Sequence, residues 1–361
     1  MMKKILGFSI LLFTSSFVCA QNNPRFYGVK SHYGFIIAHS PELKPISQTN
    51  PYGIQLDYSW LKTSDKAWKT CFCYGRSGFS FAYFNYANRD VLGSSYNLIY
   101  FVEPYFTYQG PLKFSLRGSI GATYLTKKFD EETNPENVLF STNFSFFLAL
   151  SLHLNYQINT DYSINLSANY NHISNGGQKQ PNKGMNFPTL SLGVDKVINN
   201  TQLKRKPKSL RSYDTSLDYY TGAFASLRSS DREAEATNHL LIGLMGGILK
   251  PVSGINGLNA GIELWYDYSD REIARQQEIS DSAFSSAITA GHHFSIGNFY
   301  FLQQFGFYIT RPKNIQKNWL YQRYSFWYSL GSSKRWTLGA SLIAYGKVAD
   351  HMDGRLIYII N

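Results

Sequence analysis

Charged residues, proline and cysteine are all scarce in this chain. Asp, Glu, Lys and Arg make up 16% of its 361 residues, and it contains 12 prolines and three cysteines. Beyond the N-terminal segment, no apolar run is long enough for a membrane-spanning helix, which needs about 20 residues. So small a fraction of charged residues is unusual for a soluble enzyme. Cys71 and Cys73 would point to the same side of a strand, so free thiols and a strained bridge are both open.

Aromatic residues and glycine are what the chain has in plenty. It contains 27 tyrosines, 26 phenylalanines and 28 glycines, with Asn and Ser throughout. A polar but weakly charged and aromatic composition is typical of a transmembrane β-barrel. Such a barrel has a polar lumen and an apolar outer belt with aromatic girdles.

Residues 1–20 are predicted to be a secretory signal peptide. Lys3 and Lys4 precede an apolar segment at 5–18, and Val18-Cys19-Ala20 suits cleavage after Ala20. The segment is too short to be a spanning helix. The remaining residues, 21–361, are expected to be exported.

Strict alternation of apolar and polar residues predicts half-buried β-strands. In the stretch DYSINLSANYNHISN the apolar residues fall at 162, 164, 166, 168 and 170, with Ser and Asn between them. The stretches PYGIQLDYSW, PLKFSLRGSIGATYL and GLNAGIELWYDY alternate in the same way. The predicted fold is therefore all-β, a transmembrane antiparallel β-barrel of the bacterial outer membrane.

The connections between these strands alternate in length. Links such as 108–111, 158–161, 296–298 and 332–335 are short, whereas 38–50, 85–95, 127–138, 174–184 and 269–282 are long and polar. This is the outer-membrane pattern. Counting segments predicts about 14–16 strands, in halves at 26–198 and 215–361 joined by a basic linker at 199–214. One wide barrel and an eight-stranded barrel followed by a divergent second half are both open.

The stretch NYNHISNGGQKQPNKGMNF at 169–187 carries candidate chemistry. His172 and Ser174 share the lipid-facing row of their strand at its outer end, where the imidazole can accept the serine proton. Asn175 and the amide of Gly176 are candidate donors to a developing oxyanion. Asn186, on the outer face of the next strand, is a candidate to orient His172. The alternative interpretation is two ordinary residues at a strand end.

This run, HISNGG…PNKGMNF, resembles the outer-membrane lipid A 3-O-deacylase family, also described as acyloxyacyl hydrolases. The resemblance covers roughly 26–198, and no second His-x-Ser is expected in the second half. It implies removal of an ester-linked acyl chain from lipid A in the outer leaflet by a Ser-His-acid triad on the barrel exterior. No cofactor and no metal are expected. It implies His172 as base, Ser174 as nucleophile and Asn175 as an oxyanion contributor. The family's acidic residue falls at Asn186, so a carboxylate in the 127–138 loop, from Asp130, Glu131, Glu132 or Glu136, is an alternative third member.

The expected partners are lipid A within lipopolysaccharide and the outer membrane itself, not nucleic acid. The formal charge of +11 agrees with an anionic partner. Lys179 and Lys183 lie in the loop beside Ser174, where they are expected to meet lipid A phosphates. The oligomeric state is open.

Two other functions remain open at this stage. A non-enzymatic channel or adhesin fits sixteen strands around a pore, and an outer-membrane phospholipase fits an acidic calcium loop at 127–138. Among the other polar residues, Glu103 and Arg117 are predicted to form an interior ion pair. Asp350, His351 and Asp353 are a weaker candidate for metal binding.

Overall fold

The computed structural model describes residues 23–65, 67–68, 73–107, 109–199, 203, 216–229, 238–253, 255–316, 318–346 and 348–360. The predicted signal peptide at 1–20 and most of the linker at 199–214 lie outside these residues. Within the described part of the chain, no helix is both long and apolar enough to cross a membrane. Cys73 is disulfide-bonded, and Cys71 is outside the described residues.

The first half of the chain forms a closed antiparallel barrel of eight strands. Its closure depends on the pairing of the first strand with the eighth, in a register that runs from Arg25 opposite Ile198 to Gly34 opposite Thr189. The strands are β1 (Arg25–Gly34), β2 (Tyr52–Lys62), β3 (Tyr74–Asn85), β4 (Ser94–Tyr105), β5 (Leu112–Leu125), β6 (Phe144–Gln157), β7 (Tyr162–Ser174) and β8 (Met185–Ile198).

The second half forms another closed antiparallel barrel of eight strands. Here the last strand pairs back with the first, from Gly354 opposite Ala225 to Ile360 opposite Tyr219. The strands are β9 (Asp218–Ser229), β10 (Asn238–Pro251), β11 (Asn256–Asp267), β12 (Phe284–Ile296), β13 (Phe299–Thr310), β14 (Leu320–Ser329), β15 (Trp336–Tyr345) and β16 (Val348–Ile360). The described residues thus form sixteen strands. Of the two architectures that the sequence left open, the structure has two eight-stranded barrels and not one wide barrel.

The period of two separates the two faces of each strand as predicted. In β7, Leu166 and Tyr170 are each 48% exposed on the outer face, whereas Asn165, Ser167 and Asn171 are buried in the interior. A belt of exposed Leu, Ile, Tyr and Phe surrounds both barrels. This apolar belt suits lipid, because water would disfavour so large an apolar surface.

Ion pairs and aromatic rings fill the interior of the first barrel. Arg117 lies 2.7 Å from Glu103 and 2.8 Å from Asp57, and Lys30 lies 2.9 Å from Asp57. Arg117 also lies over the ring of Phe101, with its guanidinium carbon 3.7 Å from the ring centroid. The predicted pairing of Glu103 with Arg117 is therefore present.

The second barrel has its own buried network of two arginines and two acids. Arg323 pairs with Glu263 at 2.5 Å and Asp353 at 2.7 Å, and Arg355 pairs with the same two carboxylates at 2.9 and 2.6 Å. Tyr321 donates to Glu263 at 3.1 Å. Side chains occupy both interiors, as is usual for eight-stranded barrels, so this architecture disfavours the channel hypothesis.

Long connections lie at one end of each barrel, which we call the outer end. In the first barrel these are 35–51, 86–93, 126–143 and 175–184, and in the second they include 268–283. The first of them contains a 3-10 turn, Pro41–Leu43, and the short helix α1 (Lys44–Ser47). The connection at 268–283 contains the helix α2 (Tyr268–Gln276), with Asp267 as its N-cap. The outer end of the first barrel is where the candidate residues lie.

Candidate functional site at the outer end of the first barrel

His172 and Ser174 are the last two outward-facing residues of β7. Both are half-buried, and they alternate with the buried Asn171 and Ile173. Since residues i and i+2 of a strand share a face, the imidazole and the hydroxyl lie on the same side of the sheet. Loops at the barrel rim cover them in part, which accounts for their lower exposure than that of Leu166 or Tyr170 further down the row.

The neighbouring strand orients His172. Asn186 lies directly opposite it in the β7–β8 register, and the imidazole Nδ1 is 2.7 Å from the Asn186 Oδ1. An amide oxygen can only accept, so this contact places the ring proton on Nδ1 and leaves Nε2 free to accept a proton. That is the tautomer a base toward Ser174 requires. Asn186 lies where the sequence predicted the orienting residue.

The connection after Ser174 brings backbone amides close to the hydroxyl. The N–H of Gly176 donates to the Ser174 Oγ at 3.3 Å. Asn175 is buried, and its side-chain amide donates to the Ser141 Oγ at 2.9 Å and to the Lys179 carbonyl at 2.7 Å. Asn175 therefore holds the loop together, and its predicted part in an oxyanion hole stays a prediction.

Gly184 contacts both candidate residues, although no motif or periodicity in the sequence points to it. A Cβ at this position would lie 3.0 Å from the Cε1 of His172 and 3.2 Å from the Cβ of Ser174. Its φ of +67° also favours glycine. The backbone of residue 184 thus packs directly against the histidine and the serine.

Comparisons with known proteins match each half of the chain to a described family or domain. Residues 51–195 match the family described as lipid A 3-O-deacylase (PagL), and residues 211–361 match the acyloxyacyl hydrolase C-terminal domain. The chain belongs to the lipid A 3-O-deacylase family. It is accordingly an outer-membrane β-barrel protein of a hydrolase family. The first match runs from just before β2 into β8 and leaves out β1, whereas the second match contains the whole of the second barrel. A comparison with curated proteins gave no match.

Solved outer-membrane barrels resemble one half of this deacylase-family chain. The enzyme PagL is 18% identical and covers 46% of this chain and 97% of its own, with a TM-score of 0.30. Neisserial surface protein A is 11% identical and covers 48% of this chain and 96% of its own, at 0.33. Ail of Yersinia pestis is 15% identical and covers 48% and 99%, at 0.26.

The 127–138 loop borders this deacylase-like site through its backbone rather than its carboxylates. The carbonyls of Val138 and Leu139 accept from the amides of Lys183 and Gly184, at 3.1 and 3.2 Å. The acidic residues of the loop, Asp130, Glu131, Glu132 and Glu136, are exposed. Asp130 accepts from the amide and hydroxyl of Thr133. This carboxylate caps its own turn, and the orienting contact to His172 comes from Asn186.

The two lysines expected to meet lipid A phosphates are both exposed. Lys183 pairs with Glu42 at 2.7 Å, which lowers the pKa of that carboxyl, and its carbonyl lies 3.1 Å from the Nε2 of His39. A phosphate at Lys183 would compete with Glu42 for the ammonium group. The exposed side chain of Lys179 projects from the same loop. Their contact with phosphate stays a prediction.

The second half does contain a second His-x-Ser triplet, His293-Phe294-Ser295, so the expectation that it has none is wrong. It lies near the end of β12, just before the two-residue connection 297–298 at the inner end of the second barrel. His293 is 2% exposed and faces the interior, and its Nδ1 has no hydrogen-bond partner among the described residues. The triplet therefore faces neither lipid nor the outer leaflet.

The candidate metal ligands of the second barrel have other partners. Asp350 lies 2.6 Å from the His351 Nδ1 and 3.3 Å from Arg228. Asp353 belongs to the buried arginine network. The described residues contain no group of three or more His, Cys, Asp or Glu side chains arranged to hold a metal ion.

Proposed function

We propose that this chain is a serine hydrolase that removes an ester-linked acyl chain from lipid A in the outer leaflet. The observation that carries the proposal is the contact of His172 with Asn186, beside Ser174, on the lipid-facing side of a deacylase-family barrel. Lipid A has its acyl esters close to its sugar headgroup, at the depth of a strand's outer end. An outward-facing nucleophile at that depth meets such esters without extracting the lipid from the membrane.

The proposed first step is acylation of Ser174. The Nε2 of His172 accepts the hydroxyl proton as the Oγ attacks the ester carbonyl carbon, and the carbonyl π electrons move to its oxygen. The Gly176 amide, which points at the Oγ, stabilises the resulting oxyanion. As the intermediate collapses, the sugar oxygen leaves and takes the proton from His172.

Deacylation repeats the step with water in place of the serine. His172 accepts a proton from water, the hydroxide attacks the acyl-enzyme carbonyl, and the Ser174 oxygen leaves with the proton from the imidazolium. Asn186 holds the ring in the required tautomer throughout. It does not add the negative charge with which a carboxylate would stabilise the imidazolium.

Mass spectrometry of lipid A tests this proposal. Lipid A from cells that make the wild type should lose an acyl chain, and lipid A from cells that make Ser174→Ala should keep it. Ser295→Ala, which alters the other triplet, is the matched control and should behave as wild type. Acyl loss that persists in Ser174→Ala would refute the serine mechanism.

A further inference from the structure

The outer rim of the second barrel touches the loop that follows Ser174. The backbone N–H of Met352, in β16, donates to the carbonyl of Gly176 at 3.2 Å. A Cβ at Gly176 would lie 3.1 Å from the Met352 Sδ, and a Cβ at Gly177 would lie 2.8 Å from the carbonyl oxygen of Asp350. Two consecutive glycines thus allow the loop to approach the β16 backbone closely.

This contact is made by a part of β16 that is not paired with β9. β16 pairs with β9 only from Gly354 to Ile360, so the backbone groups of Met352 lie beyond the end of that ladder. Its carbonyl accepts from the Ser226 Oγ at 2.5 Å, and its N–H is directed to Gly176. The first barrel therefore supplies a hydrogen-bond acceptor that β9 does not provide, and an unpaired N–H at an apolar surface is costly.

Gly176 contacts both the candidate nucleophile of the first barrel and β16 of the second. Its N–H points to the Ser174 Oγ, and its carbonyl is held by Met352. A glycine at φ +69° has wide conformational freedom, so its amide direction is poorly fixed by its own backbone. Asn175 anchors the loop on the first barrel, and Met352 fixes the following peptide plane from the other side.

We propose that the second barrel is a positioning element for the site in the first, and that Met352 is the positioning residue that holds Gly176. The inference rests on the proposed function, because its consequence is catalytic. Loss of the contact should lower kcat about tenfold to a hundredfold, since small displacements of groups that stabilise the transition state have effects of this size. KM should stay near the wild-type value, because Met352 is not expected to contact the substrate.

The test uses the full chain in lipid nanodiscs, with two measurements on each variant. Met352→Pro removes the N–H, Met352→Leu keeps the N–H and the bulk, and Leu356→Ala alters the same outward row of β16 further from the rim. Release of fatty acid from lipid A gives kcat and KM, and hydrogen exchange of residues 175–184 reports whether the loop has loosened. We expect Met352→Pro to speed exchange and lower kcat, and the other two to match wild type.

A second pair of variants covers the case in which Met352→Pro does not fold. Gly177→Ala would meet the Asp350 carbonyl, whereas Gly331→Ala has a similar positive φ of +66° but open space around it. Both substitutions place an alanine at a positive φ and therefore strain the backbone. A difference between the two variants thus reports the contact with the Asp350 carbonyl. Gly177→Ala should loosen the loop and lower kcat, and Gly331→Ala should do neither.

The outcomes separate this inference from the proposed function. Faster exchange in the contact variants with unchanged kcat would overturn the positioning role, and unchanged exchange in both would overturn the contact itself. A wild type that leaves lipid A intact would refute the proposed function and the catalytic consequence with it. The exchange data would still decide whether the two barrels hold this loop between them.

Discussion

Each barrel contains one His-x-Ser triplet, and the two triplets lie at opposite ends and on opposite faces of their strands. His172 and Ser174 face outward at the outer end, where Asn186 orients the imidazole. His293 faces the filled interior near the inner end. The same three-residue pattern thus lies on the outer, lipid-facing surface in one barrel and begins in the packed interior of the other. The two triplets are distinguished by the face of the strand on which the histidine lies and by the end of the barrel that the strand approaches. The triplet sequence alone does not distinguish them.

The largest expected difference between the barrels concerns the two histidines. His172→Gln should lower kcat on lipid A about a thousandfold, because it removes the proposed base for Ser174. His293→Gln should stay within about twofold of wild type, because a neutral polar group replaces another in the interior. Fatty-acid release from purified lipid A measures both. Equal losses in the two variants would contradict a special role for the outward-facing histidine.

The buried networks should differ in how they tolerate loss of an arginine. Arg117→Met removes the cation that pairs with Glu103 and leaves that buried carboxylate with Ser115 as a hydrogen-bond partner. Because a buried charge without its counter-ion is costly, we expect a loss of about 3–5 kcal/mol in unfolding free energy. Arg323→Met should cost less, because Arg355 already bridges Glu263 and Asp353.

Urea titration of the folded fraction measures this difference. Hydrogen exchange resolved by peptide then assigns each loss to one barrel. A larger loss for Arg323→Met than for Arg117→Met would contradict the argument from shared carboxylates.

Substitution of Asn186 should have a smaller effect than loss of His172. Asn186→Ala leaves His172 without its orienting acceptor and should lower kcat about tenfold to a hundredfold. Asn186→Glu should keep or raise kcat, since a carboxylate also stabilises the imidazolium. Asn298→Ala, an Asn that bonds backbone in an inner connection of the second barrel, serves as the control. Wild-type turnover in Asn186→Ala would remove this residue from the site.

The smallest expected effect is a pH dependence found at the rim of the second barrel. Burial of Asp270 in α2, with further repulsion from Asp267, raises its pKa to about 7, although Arg228 opposes the shift. An acid whose pKa rises on folding binds its proton more tightly in the folded state. Its contribution is therefore complete below about pH 4, the unfolded pKa, and is lost as the pH rises through 7.

The corresponding measurement is the thermal midpoint of the second barrel at pH 5 and pH 8. The wild type should be less stable at pH 8, by on the order of 1 kcal/mol. Asp270→Asn should remove most of this dependence. An identical slope in wild type and variant would assign the effect to another group.

The period-two pattern was sufficient to predict the strands and their faces. It correctly gave the outward row of β7 and the interior ion pair of Arg117 with Glu103, because these depend on residues at fixed spacing along a strand. It did not decide between one barrel and two. That choice depends on whether the eighth strand pairs with β1 or continues to β9, and both pairings have the same alternation.

The arrangement of the candidate site was predictable only where its residues are close in sequence. His172, Ser174 and Asn186 are linked by one hairpin, so parity placed them together. Gly184 contacts them through a turn whose path no periodicity describes, and Met352 comes from the far end of the chain. The helix α2 was missed because its residues lie within a polar connection, where capping by Asp267 and not an apolar stripe marks its start.

The contact of Met352 with Gly176 also affects the ring of lipids around the first barrel. Where β16 and this loop meet, no acyl chain can intervene, so the annulus of lipid is interrupted on that side of Ser174. The exposed Leu150, Tyr170 and Leu190 of β6, β7 and β8 form an apolar surface along which a bilayer lipid can approach Ser174. The second barrel thus restricts, on the side of β16, the directions from which a lipid can approach Ser174 within the plane of the membrane.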